Sequence, residues 1–74
     1  MADIMVLVPA TANIIAKVVH GIADDFVSTT FLACHTKKLI CPAMNVHMYE
    51  NEVTQRNIKL AKELGYKFVE PVVG

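Results

Sequence analysis

The residue best placed to do chemistry in this sequence is a side-chain amide at the end of an apolar strand. Asn45 follows Leu39-Ile40-Cys41-Pro42-Ala43-Met44 and precedes a long helical segment. Proline has no N–H for a sheet ladder, so Pro42 is expected to close the strand begun at Leu39. In open parallel sheets, ligands bind where the carboxyl end of a strand meets a helix start. An amide there can donate to a carboxylate and accept from a donor within one small site. Met44, Met48 and Tyr49 flank it. The same residues also have a plainer use: Pro42 stops a strand, Asn45 caps a helix turn, and Met44 and Met48, four apart, fill core. Spacing alone does not separate the two.

A second such place lies near the start of the sequence. Asp3 to Val8 is a continuous apolar run bounded by Pro9, and Thr11-Ala12-Asn13-Ile14 follows. Strand, tight turn and helix N-terminus together make a pocket of free backbone N–H groups suited to a polar ligand. Thr11 or Asn13 can cap the helix.

The elements that must position these two turns follow from periodicity. The run from Asp3 to Val8 does not alternate, which predicts a strand covered on both faces. Ile14, Ile15, Val18, Val19 and Ile22 form a helical stripe, with Gly21 near its end. A second helix is expected over Ala23–His35, entered through Asp24 or Asp25, and a second strand over Lys37–Cys41. Asn51 reads as the cap of a third helix, with Glu52 in its first turn and Lys62 in its last. Val53, Leu60, Ala61 and Leu64 are its expected buried stripe, with Gln55, Arg56, Lys59 and Glu63 outside. Gly65 stops it, and Tyr66–Glu70 is a third strand ending at Pro71. The order β-α-α-β-α-β, with right-handed crossovers, predicts three parallel strands in an α/β fold. It looks like half of a nucleotide-binding-type domain.

Composition narrows the function. With 74 residues the chain holds at most one domain, and 54% of those residues are hydrophobic, as in a piece to be covered by more protein. Seven basic and seven acidic residues balance, so no basic patch points to nucleic acid and no cationic helix to a membrane. No apolar run approaches the roughly 20 residues of a membrane span, and Ile4 to Val8 is too short for a signal peptide. Cys34 and Cys41 are expected to be buried free thiols in a cytoplasmic protein. His20, His35 and His47 fit no metal-site spacing.

Pro42-Ala43-Met44-Asn45 followed by Met48-Tyr49 resembles the Pro-X-Met-Asn-X-X-Met-Trp signature of the flavin-dependent cysteine decarboxylases, with Tyr49 keeping an aromatic wall in place of Trp. Ala2 to Asp25 resembles the same family's segment Ala-Asp-x-x-Val-x-x-Pro-Ala-Thr-Ala-Asn-Thr-x-Ala-Lys-x-x-x-Gly-x-Ala-Asp-Asn. The likeness runs from Ala2 through Pro71, and two motifs in order, about 30 residues apart, make a specific signal. It implies a three-layer, Rossmann- or flavodoxin-like parallel sheet, of which residues 1–74 form a partial flavoprotein domain.

It also implies FMN as cofactor. Thr11, Ala12, Asn13 and Ile14 fall on the family's flavin-contacting turn, where Ile14 replaces Thr and removes a hydroxyl contact. Ala43 falls where a small side chain approaches the flavin. Asn45 falls on the catalytic asparagine that grips the carboxylate of the substrate's cysteine moiety, with Met44, Met48 and Tyr49 lining the substrate clamp. Asp25 stands where relatives have Asn, an unfavourable anion beside a flavin phosphate. The implied reaction oxidises the cysteine thiol to a thioaldehyde, which stabilises the carbanion left when carbon dioxide departs; the cofactor accepts and returns the electrons.

The implied substrate is 4′-phosphopantothenoylcysteine, giving 4′-phosphopantetheine in coenzyme A synthesis, and the implied assembly is a homotrimer or higher oligomer. The family's catalytic histidine and its Cys-Gly-rich segment have no counterpart in this sequence. The chain is therefore expected to be a truncated, split or degenerate segment, with a complementary chain as one way of completing it. Two alternatives stand beside this one: a peptidyl-cysteine decarboxylase, and a non-catalytic fragment or subunit.

Overall fold

Two strands and the helix between them set the frame, and the computed structural model describes residues 4–73. β1 (Ile4–Ala10) and β2 (Lys37–Met44) run parallel, with Ile4 opposite Lys37 and Leu7 opposite Ile40. Asp3, the expected first residue of β1, lies outside the described residues. Neither proline ends its strand as expected. β1 passes through Pro9 across a cis Val8–Pro9 peptide, and β2 passes through Pro42 to Met44. The register shifts between Leu7 and Ala10, and pairing resumes with Ala10 opposite Pro42. The shift opens the ladder where the prolines have no N–H to contribute, so both strands continue.

On the far side of β2, β3 (Lys67–Phe68) pairs with Leu39 and Ile40, and β4 (Val72–Val73) pairs with Ala43 and Met44. The expected single strand Tyr66–Glu70 is thus shorter, and pairing resumes beyond Pro71 instead of ending there. All pairs are parallel.

The helices follow their caps. α1 (Ala12–Val19) starts at Thr11, and Gly21, at φ 71°, turns the chain out of it. α2 (Phe26–Ala33) is shorter than expected at both ends and starts at Asp25, whose carboxylate and Ser28 form a reciprocal capping box. A short helix that periodicity does not announce, α3 (Val46–Glu50), separates Asn45 from α4 (Glu52–Glu63).

Leu7, Ala10, Ile15, Val18, Val19, Phe31, Ile40 and Ala61 form one buried cluster joining all three longer helices to one face of the sheet. Phe31, fully buried, meets Tyr66 edge to face at 5.5 Å, and the Lys38 ammonium sits 5.2 Å from the Phe31 ring centre. Of the expected α4 stripe, Ala61 is buried and Leu60 packs against the core cluster, whereas Val53 and Leu64 are exposed and Thr54, Asn57 and Ile58 are buried in their place. Ile22 is likewise exposed, because α1 ends before it.

β1 is covered on one face only. Met5 and Leu7 meet the helices, whereas Ile4, Val6 and Val8 alternate onto the opposite face and are 53%, 46% and 64% exposed. Of the three layers expected, the described residues supply the sheet and one helical layer. Among the described residues no helix is long and apolar enough to cross a membrane.

Candidate functional site

The pairing of Ala10 with Pro42 sets the two chemically interesting turns side by side at the carboxyl edge of the sheet. Neighbouring strands lie about 4.8 Å apart, so the starts of α1 and α3 open onto common ground.

In the first turn, Thr11 Oγ1 accepts from the Ile14 N–H at 3.2 Å, and the Thr11 carbonyl accepts from Ile15. The N–H groups of Ala12 and Asn13 have no partner within the helix and face the turn's open end. Ile14 is half-buried against the core cluster, and the Asn13 side chain is exposed.

In the second turn, Asn45 Oδ1 accepts from the Met48 N–H at 2.8 Å, and its carbonyl accepts from Tyr49 at 3.0 Å. A backbone N–H needs an acceptor, so this bond fixes which way the amide faces. The oxygen is consumed by the cap, and the exposed amide nitrogen is left with two N–H donors. What α3 presents is therefore a donor pair suited to an anion.

The remaining clamp residues separate. Met44 is half-buried against the core beneath the turn, Met48 is 44% exposed, and Tyr49 is half-buried beside Pro42. Ala43 is half-buried on the sheet face turned away from the core cluster.

Two cavities flank the turns. One of about 540 Å³ is lined by Leu7, Val8, Pro9, Thr11, Ile14, Asp25, Phe26 and Val27. The other, of about 610 Å³, has Pro42 and Tyr49 on one side and Tyr66, Phe68 and Pro71 on the other. Thus Thr11 and Ile14 line the first and Tyr49 the second, while Ala12, Asn13, Ala43, Met44, Asn45 and Met48 line neither.

Asp25 borders the first cavity, but its charge is already engaged. Lys17 Nζ donates to Asp25 Oδ2 at 2.7 Å and lies 3.0 Å from Asp24, while the Ser28 N–H donates to Asp25 Oδ1 at 2.7 Å. The Lys17 ammonium, then the Ser28 donors, lower the Asp25 pKa to about 2, and the two aspartates raise that of Lys17. The free anion expected beside a cofactor phosphate is in fact a capped, ion-paired carboxylate.

Sequence reasoning missed one contributor, Gln55. Gln55 donates its side-chain amide to the Tyr49 carbonyl, tying α4 to α3. Asn51 Oδ1 accepts from Val53 at 2.9 Å and Thr54 at 3.3 Å, so the residue that ends α3 also starts α4. The Asn51 cap was legible; the Gln55 contact, six residues from its partner, matches no periodic pattern. Cys34 and Cys41 are half-buried rather than buried, and the three histidines are exposed. Cys34 accepts or donates a 3.0 Å bond with Thr36 at the opposite, amino edge of the sheet, which lowers its pKa.

Residues 1–73 match the family model described as Flavoprotein. The coenzyme A biosynthesis bifunctional protein CoaBC of Bacillus subtilis is 49% identical over 73 residues, covering 99% of this chain and 18% of that protein. A probable phosphopantothenoylcysteine decarboxylase of Streptococcus mutans is 47% identical over 72 residues, covering 95% of this chain and 40% of that one. Among solved structures, the FMN-dependent cysteine decarboxylase SpaF superposes with a TM-score of 0.91 at 46% identity, over 99% of this chain and 42% of its own. The chain therefore spans less than half the length of each of these proteins.

Proposed function

The chain belongs to the Flavoprotein family, and from that membership we propose that it is the substrate-clamping part of an FMN-dependent phosphopantothenoylcysteine decarboxylase, the whole enzyme forming 4′-phosphopantetheine for coenzyme A synthesis. Residues 1–74 then make up a partial flavoprotein domain of a cytoplasmic enzyme. The observation that carries the reading is the Asn45 amide, whose oxygen is held by Met48 and whose N–H donors are left for an anion.

In that role Asn45 donates to the carboxylate of the substrate's cysteine moiety and holds it at the carboxyl edge of the sheet, an arrangement that places the reacting carbons without taking part in bond making. Tyr49 walls the clamp on the side of Pro42. Met44 supports the turn from the core side, and Met48 offers its apolar side chain to whatever closes over the site.

The residues of the first turn suit FMN. Leu7, Val8, Pro9, Ile14, Phe26 and Val27 give apolar walls to a cavity of about 540 Å³, within the usual size of a ligand site. Such walls suit a flat aromatic ring, and the Ala12 and Asn13 N–H groups and Thr11 suit its polar edge. The small Ala43 side chain allows a close approach. Bound there, FMN would supply the electron sink that decarboxylation needs. Asp25, already paired with Lys17, would hold α2 in place rather than meet the cofactor.

A second reading changes the substrate. The likeness to the solved peptidyl-cysteine decarboxylase EpiD, 36% identical with a TM-score of 0.86 over 93% of this chain and 42% of its own, also supports action on the C-terminal cysteine of a peptide. In either case we infer an assembly with further protein, a homotrimer or higher oligomer or a complementary chain, because one face of the sheet is open.

Exchanging this segment for the matching 72 residues of the Streptococcus mutans protein tests the reading. The chimera is expected to bind FMN and to release carbon dioxide from phosphopantothenoylcysteine. Release only from a peptide ending in cysteine would favour the second reading. A folded, flavin-free, inactive chimera would overturn both.

A further inference from the structure

The larger cavity is not used by the carboxylate grip, and its lining differs from that of the first. Its walls are apolar and aromatic: Pro42, Tyr49, Ile58, Tyr66 and Phe68. Lys62, Lys67 and Glu70 also line it, two ammonium groups against one carboxylate. Among the described residues neither lysine is in an ion pair. Lys62 Nζ lies 5.7 Å from the Phe68 ring centre, held over the aromatic wall. The first cavity offers the reverse: its one ionisable lining residue is Asp25, already paired with Lys17.

The cavity also runs in a useful direction. Tyr49 and Pro42 connect it to the clamp, and Phe68 stands opposite Ile40. Ile40 is five strand residues before Asn45, so the far wall lies roughly 17 Å back along β2 from the amide, at about 3.3 Å per residue. A ligand held by a carboxylate at Asn45 could thus lay an extended, weakly polar linker along the aromatic wall and end among the lysines.

We propose that this cavity is the subsite for the far arm of the substrate, an extended linker ending in a phosphate monoester, with Lys62 and Lys67 taking the phosphate. The inference rests on the substrate reading above and selects within it. A phosphate carries about −1.5 to −2 charges at pH 7, which two unpaired ammonium groups match and a plain peptide body does not. These lysines are the specificity-determining residues of the site.

The test is a titration of the isotopically labelled 74-residue chain with 4′-phosphopantetheine, pantetheine and inorganic phosphate at low salt, read by amide shifts. Phosphopantetheine should shift Tyr49, Lys62, Tyr66 and Phe68 and bind roughly tenfold more tightly than pantetheine, a preference that weakens with added salt. The double variant Lys62→Ala, Lys67→Ala should bind both compounds equally, and Lys62→Arg with Lys67→Arg should keep the preference. Equal affinities in the unaltered chain, a preference that survives the alanine pair, or shifts confined to another surface would each overturn the inference. So would inorganic phosphate binding as tightly as phosphopantetheine, which would mark a bare anion site. A parallel titration with phosphopantothenoylcysteine separates this inference from its premise. Binding that depends on Asn45 but not on the lysines sinks the arm subsite alone; binding that depends on neither sinks the clamp as well.

Discussion

Asn45 does two jobs with the two ends of one amide, and substitutions can separate them. Aspartate keeps an oxygen for the Met48 N–H and caps helices as well as asparagine does, but it replaces the outward donors with a second acceptor and a negative charge. Asn45→Asp should therefore leave the urea midpoint nearly unchanged while abolishing binding of a carboxylate ligand. Asn45→Ala should lose the ligand and also about 1 kcal/mol of stability. Equal destabilisation by both would mean that the cap bond is not made in solution.

Asp25 gives a pH signature. Its folded pKa is lowered to about 2 by Lys17 and Ser28, so its contribution is complete above the ordinary carboxylate value and drains away as pH falls through the folded one. The melting temperature should drop between about pH 4 and pH 2, and Asp25→Asn should flatten that drop. Residue types made Asn45 legible in the sequence, since a polar amide after an apolar strand has few uses. The orientation of that amide, and the pairing that takes the charge of Asp25, depend on partners that no spacing rule specifies.

Elements were legible where a long apolar period and a cap agreed, and obscured where a proline or a short length intervened. α1 and α4 have both signals and appear with the caps expected of them, Thr11 and Asn51. Pro9 and Pro42 read as strand ends, but Pro9 falls inside a register shift and Pro42 where pairing resumes after it. α3, with five residues, is shorter than two turns and cannot show a helical period. Its stability depends on what holds its ends: the Asn45 cap at its start, and at its close the Asn51 N–H to the Met48 carbonyl and the Gln55 bond to the Tyr49 carbonyl. Asn51→Ala should lower stability by about 1 kcal/mol, seen as a lower urea midpoint with an unchanged slope. By loosening the first turn of α4, from which Gln55 reaches the Tyr49 carbonyl, it should also broaden the amide signals of Val46 to Glu50 while leaving those of α1 sharp. Sharp α3 signals in that variant would show that Gln55 and packing suffice to hold the clamp helix.

At the scale of the whole molecule, the open face of the sheet is the unresolved tension. The Cα radius of gyration, 11.6 Å, is that of a compact domain of this length, about 11 Å, so the exposure of β1 does not come from loose packing. A continuous apolar run such as Ile4 to Val8 has the composition of a strand buried on both sides. Here the helices cover only Met5 and Leu7, leaving Ile4, Val6 and Val8 in contact with water. A stripe of this kind on a free edge strand favours association. Sedimentation of the chain should show an average mass that rises with concentration. Val6→Lys combined with Val8→Lys should hold it at the monomer mass across the same range. Because neither side chain belongs to the buried cluster, the urea midpoint of the double variant, measured at low concentration, should stay close to that of the unaltered chain. Association that persists in the variant would move the adhesive surface elsewhere, to the exposed Phe26 and Val27 at the start of α2. A lowered midpoint would mean instead that this face already carries contacts the monomer needs.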